Sequence, residues 1–128
     1  MKSFLIELGL TLEGETTVEG PLIGQLIRLK EVRATFAMLR TADGQDVELD
    51  KFHTPEAVRH GPAEASVNTP GIRRIMFNVS DIGEIVARMQ AVGAEIIGQM
   101  QYEDSYQLAY IRGPEGIIVA LAEQLGQP

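Results

Sequence analysis

The fold is decided by two stretches that align without a gap: AMLRTADGQDVEL at residues 37–49 and AYIRGPEGIIVAL at residues 109–121. A second pair lies upstream, where GLTLEG at residues 9–14 matches GAEIIG at residues 93–98. The offsets are 109 − 37 = 72 and 93 − 9 = 84, so the first copy carries an insertion of 84 − 72 = 12 residues. The chain is therefore an internal repeat of two unequal modules.

The second copy predicts one strand, one helix and three further strands. Residues 72–80 (IRRIMFNVS) alternate between two faces, which is typical of a strand. Ser80 or Asp81 then caps a helix with apolar residues at helical spacing, and Gly93 ends that helix. The later strands are predicted at residues 94–102, 106–112 and 117–123.

The first copy has the same elements without the opening strand. Residues 1–8 are predicted to be the last two turns of the helix, with Gly9 as its end. At the offset of 84, Met1 falls opposite Ile85, so everything before Ile85 lacks a counterpart. The remaining elements are strands at residues 10–18, 32–40 and 46–52 and a short helix in the insertion at residues 21–30.

A sheet without its first strand exposes unpaired backbone groups at one edge. Three explanations are open: a truncated product or wrongly assigned start, cover by a partner subunit, or rearrangement of the remaining strands. Because Met1 falls inside a predicted helix, the first explanation is favoured. We also expect the protein to be a homodimer.

The chain is predicted to be a single domain over residues 1–128. The incomplete first module covers residues 1–54, a linker covers residues 55–70, and the complete second module covers residues 71–128. The net charge is 11 − 18 = −7, and no long basic run is present, which argues against nucleic acid or an anionic membrane as a partner. With no membrane span and no signal peptide, the predicted location is the cytoplasm.

This tandem unit resembles the vicinal oxygen chelate superfamily, which includes glyoxalases, bleomycin resistance proteins and extradiol dioxygenases. The residues that carry the resemblance are GIRRIMFNVSDI at 71–82, VGAEIIG at 92–98, YIRGPEGIIV at 110–119, ELGL at 7–10 and VEL at 47–49. The resemblance implies an α+β fold of two tandem βαβββ modules forming a curved-sheet cup, the first module lacking its opening strand.

The resemblance also implies metal ligands on the first and last strand of each module. Glu48 fits the last-strand position of the first module, whereas Ala120 occupies that position in the second. Arg74 stands where a first-strand histidine is usual, and the fourth position would precede Met1. Because a catalytic metal normally needs three protein ligands, Glu48 is interpreted as a vestige. No cofactor is expected, and a divalent metal would bind only with ligands from outside this chain segment.

Strand alternation predicts which side chains line the cup. The result is a mostly apolar concavity with a few polar groups, which is typical of a small-molecule site. Glu48 and Arg74 are its predicted polar anchors, with the guanidinium replacing the metal as counter-charge. Arg74 would also bind an anionic group of the ligand, unless the ion pair only fills a decayed site. The predicted ligand-contacting residues are Arg74, Glu48, Tyr110, Phe36, Met38, Met76, Asn78 and Ala120.

The favoured function is a glyoxalase/bleomycin-resistance-like protein that binds a small molecule in an apolar cup without a metal. The alternative is a metal-dependent lyase, isomerase or dioxygenase that takes its missing ligands from an upstream strand, a partner chain, or His53 and His60. A degenerate module within a larger assembly is a third interpretation. Arg40 and Arg112 precede the two equivalent turns, which indicates a structural role for both.

Overall fold

A computed structural model describes residues 1–59 and 61–126, which form an α+β fold with two β-sheets. There are two compact units, of which the first begins at Lys2 and the second at Gly61. The first unit contains α1 (Lys2–Leu8), β1 (Thr11–Glu19), α2 (Pro21–Ile27), β2 (Arg33–Arg40) and β3 (Asp46–Thr54). The second contains β4 (Arg74–Asn78), α3 (Ile82–Ala91), β5 (Glu95–Tyr102), β6 (Tyr106–Arg112), a 3-10 turn (Pro114–Gly116) and β7 (Ile118–Gln124). The predicted α+β fold of tandem modules is confirmed, and among residues 1–59 and 61–126 the first module has no counterpart of β4.

The second unit is a four-stranded sheet with one helix. Its strand order is β4-β7-β6-β5, with β4 parallel to β7 and the other pairs antiparallel. The helix α3 begins where Asp81 Oδ1 accepts a hydrogen bond from the backbone nitrogen of Glu84 at 3.2 Å. The core of this unit consists of buried apolar residues on α3 and on one face of the sheet: Ile82, Ile85, Val86, Met89, Ala109, Ile111, Val119 and Leu121.

The first unit repeats the last three strands of this sheet. Its order is β1-β2-β3, all antiparallel, and Ala37 and Leu39 are buried on one face. The repeat extends to an irregularity in the ladder: the register shifts between Leu12 and Gly14 in β1, and between Ile96 and Gly98 in β5. Both positions differ by the offset of 84 that the sequence shows. The two modules therefore share one strand register and not only one strand count.

Two elements of the first unit differ from the prediction. The strand β3 continues to Thr54 and includes His53. Arg33 pairs with Thr54 and Ala34 with Phe52, so His53 is the extra residue at this register shift. The helix α2 ends at Ile27, where Arg28 adopts a left-handed conformation with φ of 59°. Its side chains at Leu22 and Leu26 are exposed. None of the described helices is long and apolar enough to span a bilayer.

Candidate functional site

One face of the second sheet brings together five of the predicted ligand-contacting residues. The strand register pairs Met76 with Ala120 and Ala120 with Tyr110, so these three side chains lie on the same face. Arg74 and Asn78 alternate with Met76 along β4 and therefore share that face. Met76 is 53% exposed, whereas Ala120 is fully buried, at 0%. Ala120 thus forms the floor of this face, and a ligand would contact the longer side chains first.

Arg74 lies over an aromatic ring. Its guanidinium carbon is 5.2 Å from the centroid of the Tyr110 ring, which is within the range of a cation–π interaction. Among the described residues of its own unit, Arg74 has no carboxylate partner. The ring can hold the guanidinium plane while its N–H donors stay available. This arrangement suits recognition of a planar anion such as a carboxylate.

The same face continues into an exposed aromatic and methionine cluster on β5 and β6. The rings of Tyr102 and Tyr106 stack with centroids 5.5 Å apart. The register pairs Met100 with Leu108, next to this stack. Met100 was not among the predicted site residues, because the irregularity at Gly98 hides the alternation of β5. The half-exposed Met100 and the stacked tyrosines together form an exposed apolar patch with one flexible side chain.

In the first sheet, the equivalent face carries Met38 and Glu48 as cross-strand neighbours, and Phe36 opposite Asp50. Glu48 and Asp50 are two residues apart on β3 and therefore point to the same side. A hydrogen bond with the Asp50 carboxyl raises the pKa of Glu48, and charge repulsion by Asp50 and desolvation raise it further. Asp50 was not predicted as a site residue, although its spacing from Glu48 is a signal that could have identified it. The ion pair of Glu48 with Arg74 stays a prediction.

The pH dependence of the Glu48–Asp50 pair follows from the direction of this shift. Because the pKa of Glu48 is raised in the folded state, the pair stabilises the fold while Glu48 is protonated. That contribution to stability is lost as the pH rises through the pKa that Glu48 has in the folded protein. In carboxyl-carbon NMR titrations, we expect Glu48 to titrate above the ordinary glutamate range. The Asp50→Asn variant should return Glu48 to that range, whereas Asp43→Asn, on the β2–β3 turn, should not. An unshifted Glu48 in the unsubstituted protein would contradict the contact.

The residues at the three family metal positions that this chain contains do not together fit a metal. A guanidinium at Arg74 and a methyl group at Ala120 cannot serve as ligands, which leaves Glu48. Among residues 1–59 and 61–126, no group of three or more His, Cys, Asp or Glu side chains could hold an ion. His53 bonds Thr35 Oγ1 through Nε2 at 2.8 Å, on the face of the sheet opposite to Glu48. His60 lies outside the described residues.

Two repeated sheet modules, each with a face that carries methionine and an aromatic residue, define a tandem-module α+β protein. Residues 1–121 match the sequence model of the Glyoxalase/Bleomycin resistance protein/Dioxygenase superfamily, so the chain belongs to this superfamily. No match was found among curated proteins.

One solved structure gives the same assignment, and two more distant ones share the fold. A glyoxalase family protein from Bacillus cereus is 46% identical, with 97% of this chain and 84% of that chain covered and a TM-score of 0.89. A glyoxalase/dioxygenase from Nostoc punctiforme is 18% identical, with 97% and 80% covered and a TM-score of 0.63. A glyoxylase/bleomycin resistance protein/dioxygenase domain from a Frankia species is 16% identical, with 98% and 86% covered and a TM-score of 0.62. The last two support the fold alone.

Proposed function

We propose that this protein binds a small organic anion, with Arg74 as the group that holds the anionic end and without a resident metal. The main support is that the Arg74 guanidinium lies over the Tyr110 ring at 5.2 Å and has no carboxylate partner among residues 61–126. A guanidinium that is oriented by a ring and has free donors is arranged for an external carboxylate or phosphate. Superfamily membership is consistent with ligand binding. It does not specify the ligand, because related folds carry many different chemistries.

On each sheet face, taken by itself, apolar side chains are proposed to contact the body of a ligand. In the second unit these are Met76 and Tyr110, with Asn78 as a neutral hydrogen-bonding group and Ala120 as the floor. Methionine and aromatic side chains supply a large apolar surface that adapts to the ligand. In the first unit the proposed contacts are Phe36, Met38 and Glu48. We further propose a cytoplasmic homodimer, for which the exposed Leu22 and Leu26 of α2 offer an apolar contact surface.

The test of this proposal compares anions with their neutral analogues. Aromatic and aliphatic carboxylates and the corresponding primary amides are screened by calorimetry on the unsubstituted protein. We expect carboxylates to bind and amides to bind at least about tenfold more weakly, since a charge-assisted hydrogen bond contributes about 1.5 to 3 kcal/mol. Arg74→Gln should lower carboxylate affinity about 10- to 100-fold.

Arg33→Gln is the control for the loss of one positive charge. The Arg33 side chain is exposed on β2 of the first unit, and its Nε already lies 3.8 Å from a carboxylate oxygen of Glu19. Carboxylate affinity should therefore stay within about twofold, because exposed charges are screened by salt. Equal loss in both variants, or equal binding of acids and amides, would refute Arg74 as the anion-binding group.

A second candidate is a metal-dependent lyase, isomerase or dioxygenase, favoured by the adjacent carboxylates of Glu48 and Asp50. Two oxygen ligands would still need others from outside the described chain. Elemental analysis of untagged protein, before and after incubation with nickel, zinc, manganese and ferrous iron, separates the two candidates. Near-stoichiometric metal that is lost in Glu48→Gln would support the enzyme.

A further inference from the structure

The anion site at Arg74 does not use the tyrosine cluster of the second sheet, which consists of Met100, Tyr102 and Tyr106. These side chains are 51%, 50% and 39% exposed. Apolar side chains that are exposed side by side mark a binding surface, whereas single exposed ones do not. Tyr102 and Tyr106 are cross-strand partners, and the planes of their stacked rings differ by 19°. Each ring therefore holds the other in place and leaves part of its surface open.

One strand connects this cluster to the anion site. Tyr106, Leu108 and Tyr110 alternate along β6 and therefore share one face of the sheet. The Arg74 guanidinium lies over the Tyr110 ring. At about 3.3 Å per residue, the backbone positions of Tyr106 and Tyr110 are about 13 Å apart. The face thus has a cationic end at Arg74 and an aromatic end at the tyrosine cluster.

The side chains between these two ends are small or apolar. On β7, Ala120 and Ala122 are the partners of Tyr110 and Leu108. On β5, Gly98 is the other partner of Tyr110. Methyl groups and a glycine project little from a sheet, so the body of a ligand can lie along β6 between the two ends. Because the intervening residues of β5, β6 and β7 on this face are uncharged, an apolar ligand body is favoured there.

We propose that the ligand is an elongated aromatic acid, with its carboxylate on Arg74 and its ring on the Tyr102–Tyr106 pair. This inference rests on the proposed anion site and names the class of compound that the site takes. Aromatic rings in stacked or edge-to-face contact are stabilised beyond the apolar area that they bury. The flexible Met100 adapts to the shape of the bound ring. A compound that is too short reaches only one of the two ends, so the face selects its ligand by length.

The contribution of the ring is measured with two acids of equal length. Phenylhexanoate joins a ring to a carboxylate through a chain of methylene groups, and cyclohexylhexanoate differs from it only in having a saturated ring. By calorimetry on the unsubstituted protein, we expect phenylhexanoate to bind about two- to tenfold more tightly, because an aromatic pair is favoured beyond area burial. Equal affinities of the two acids would overturn the aromatic contact.

Matched variants locate this contact. Tyr106→Leu should abolish the preference for phenylhexanoate over cyclohexylhexanoate and leave the affinity for hexanoate, which has no ring, within about twofold. Gln107→Leu is the control, because Gln107 follows Tyr106 on β6 and its side chain lies on the opposite face, so the preference should persist. Arg74→Gln should weaken the binding of all three acids and keep the preference. Hexanoate that binds equally to the Arg74→Gln protein would refute the anion site, whereas a lost preference alone would refute the tyrosine site.

Methionine methyl NMR on the unsubstituted protein measures where the ring lies. Among the five methionines of the chain, Met76 lies beside the cationic end and Met100 belongs to the aromatic end. A bound aromatic ring shifts the resonances of methyl groups beside it. Phenylhexanoate should therefore shift the Met100 signal, and phenylacetate, whose ring stays close to its carboxylate, should shift the Met76 signal. If both acids shift Met76 alone, the ring does not reach the tyrosine pair and the proposal is wrong.

The competing explanation is that the tyrosine cluster is a contact surface for a second copy of the chain. Light scattering on the unsubstituted protein and on Tyr106→Leu distinguishes the two. We expect the same oligomeric state for both, together with the loss of the phenylhexanoate preference in the variant. A change of oligomeric state in a variant that keeps the preference would overturn the proposal.

Discussion

The Gly116→Ala variant should lose about 2 to 5 kcal/mol of unfolding free energy. Gly116 has a φ of +83°, and an added Cβ would lie 1.5 Å from the backbone oxygen of Ala63. The left-handed conformation costs an alanine about 1 to 2 kcal/mol, and overpacking costs about 1 to 3 kcal/mol more. Because the obstructing atom belongs to the backbone, no side-chain rotation can relieve the contact. Urea denaturation measures the loss.

The repeat supplies the matched control for this variant. Gly44 is the counterpart of Gly116 at the offset of 72, and it also has a positive φ, of +92°, but an added Cβ meets nothing within 4 Å. Gly44→Ala should therefore show the conformational cost alone. An added Cβ at Gly83, in α3, would also meet nothing within 4 Å, so Gly83→Ala should stabilise the protein by about 0.5 to 1 kcal/mol. Equal losses at Gly116 and Gly44 would mean that the segment at Ala63 does not pack on the turn.

Much of the fold could be predicted because the local signals agree with one another. The structure contains the strands that alternation predicts. It also contains the helix α3, which is capped by Asp81 and followed by Gly93 with its positive φ. The strand end at Phe52 was wrong because alternation cannot reveal a ladder irregularity on the neighbouring strand, here between Arg33 and Ala34. Register depends on the partner strand, and a single sequence shows it only where a repeat provides the comparison.

The sequence predicts which side chains of the candidate site share a sheet face, but not which of them are in contact. The period of a strand places Arg74, Met76 and Tyr110 on one side without further information. That Arg74 lies over the Tyr110 ring depends on side-chain conformation, which alternation does not specify. The same limit applies to the Glu48 carboxyl, which contacts Asp50 of its own strand. Its predicted pairing with Arg74 involves a residue of the other unit and stays a prediction.

Arg112 and Arg40 are equivalent in sequence and should differ in their contribution to stability. Arg112 Nη1 donates to the backbone oxygens of Ala65 and Gly116, each at 3.0 Å, in partly buried surroundings. Hydrogen bonds to a charged group contribute about 1.5 to 3 kcal/mol, and their loss leaves two carbonyl oxygens without this donor. We therefore expect Arg112→Met to lower the unfolding free energy by about 2 to 4 kcal/mol.

Arg40→Met is the comparison that makes this result specific. Arg40 Nε lies 3.3 Å from a Glu13 oxygen and 3.2 Å from an Asp46 oxygen, and its side chain is 50% exposed. Exposed ion pairs contribute at most about 1 kcal/mol, so this variant should be nearly as stable as the unsubstituted protein. Because Arg112 also anchors the segment around Ala65, Arg112→Met should speed proteolysis there at urea concentrations that leave both proteins folded. If the two variants lose equal stability and are cleaved at equal rates, Arg112 is not an anchor, and the repeated arginine has the same surface role in both modules.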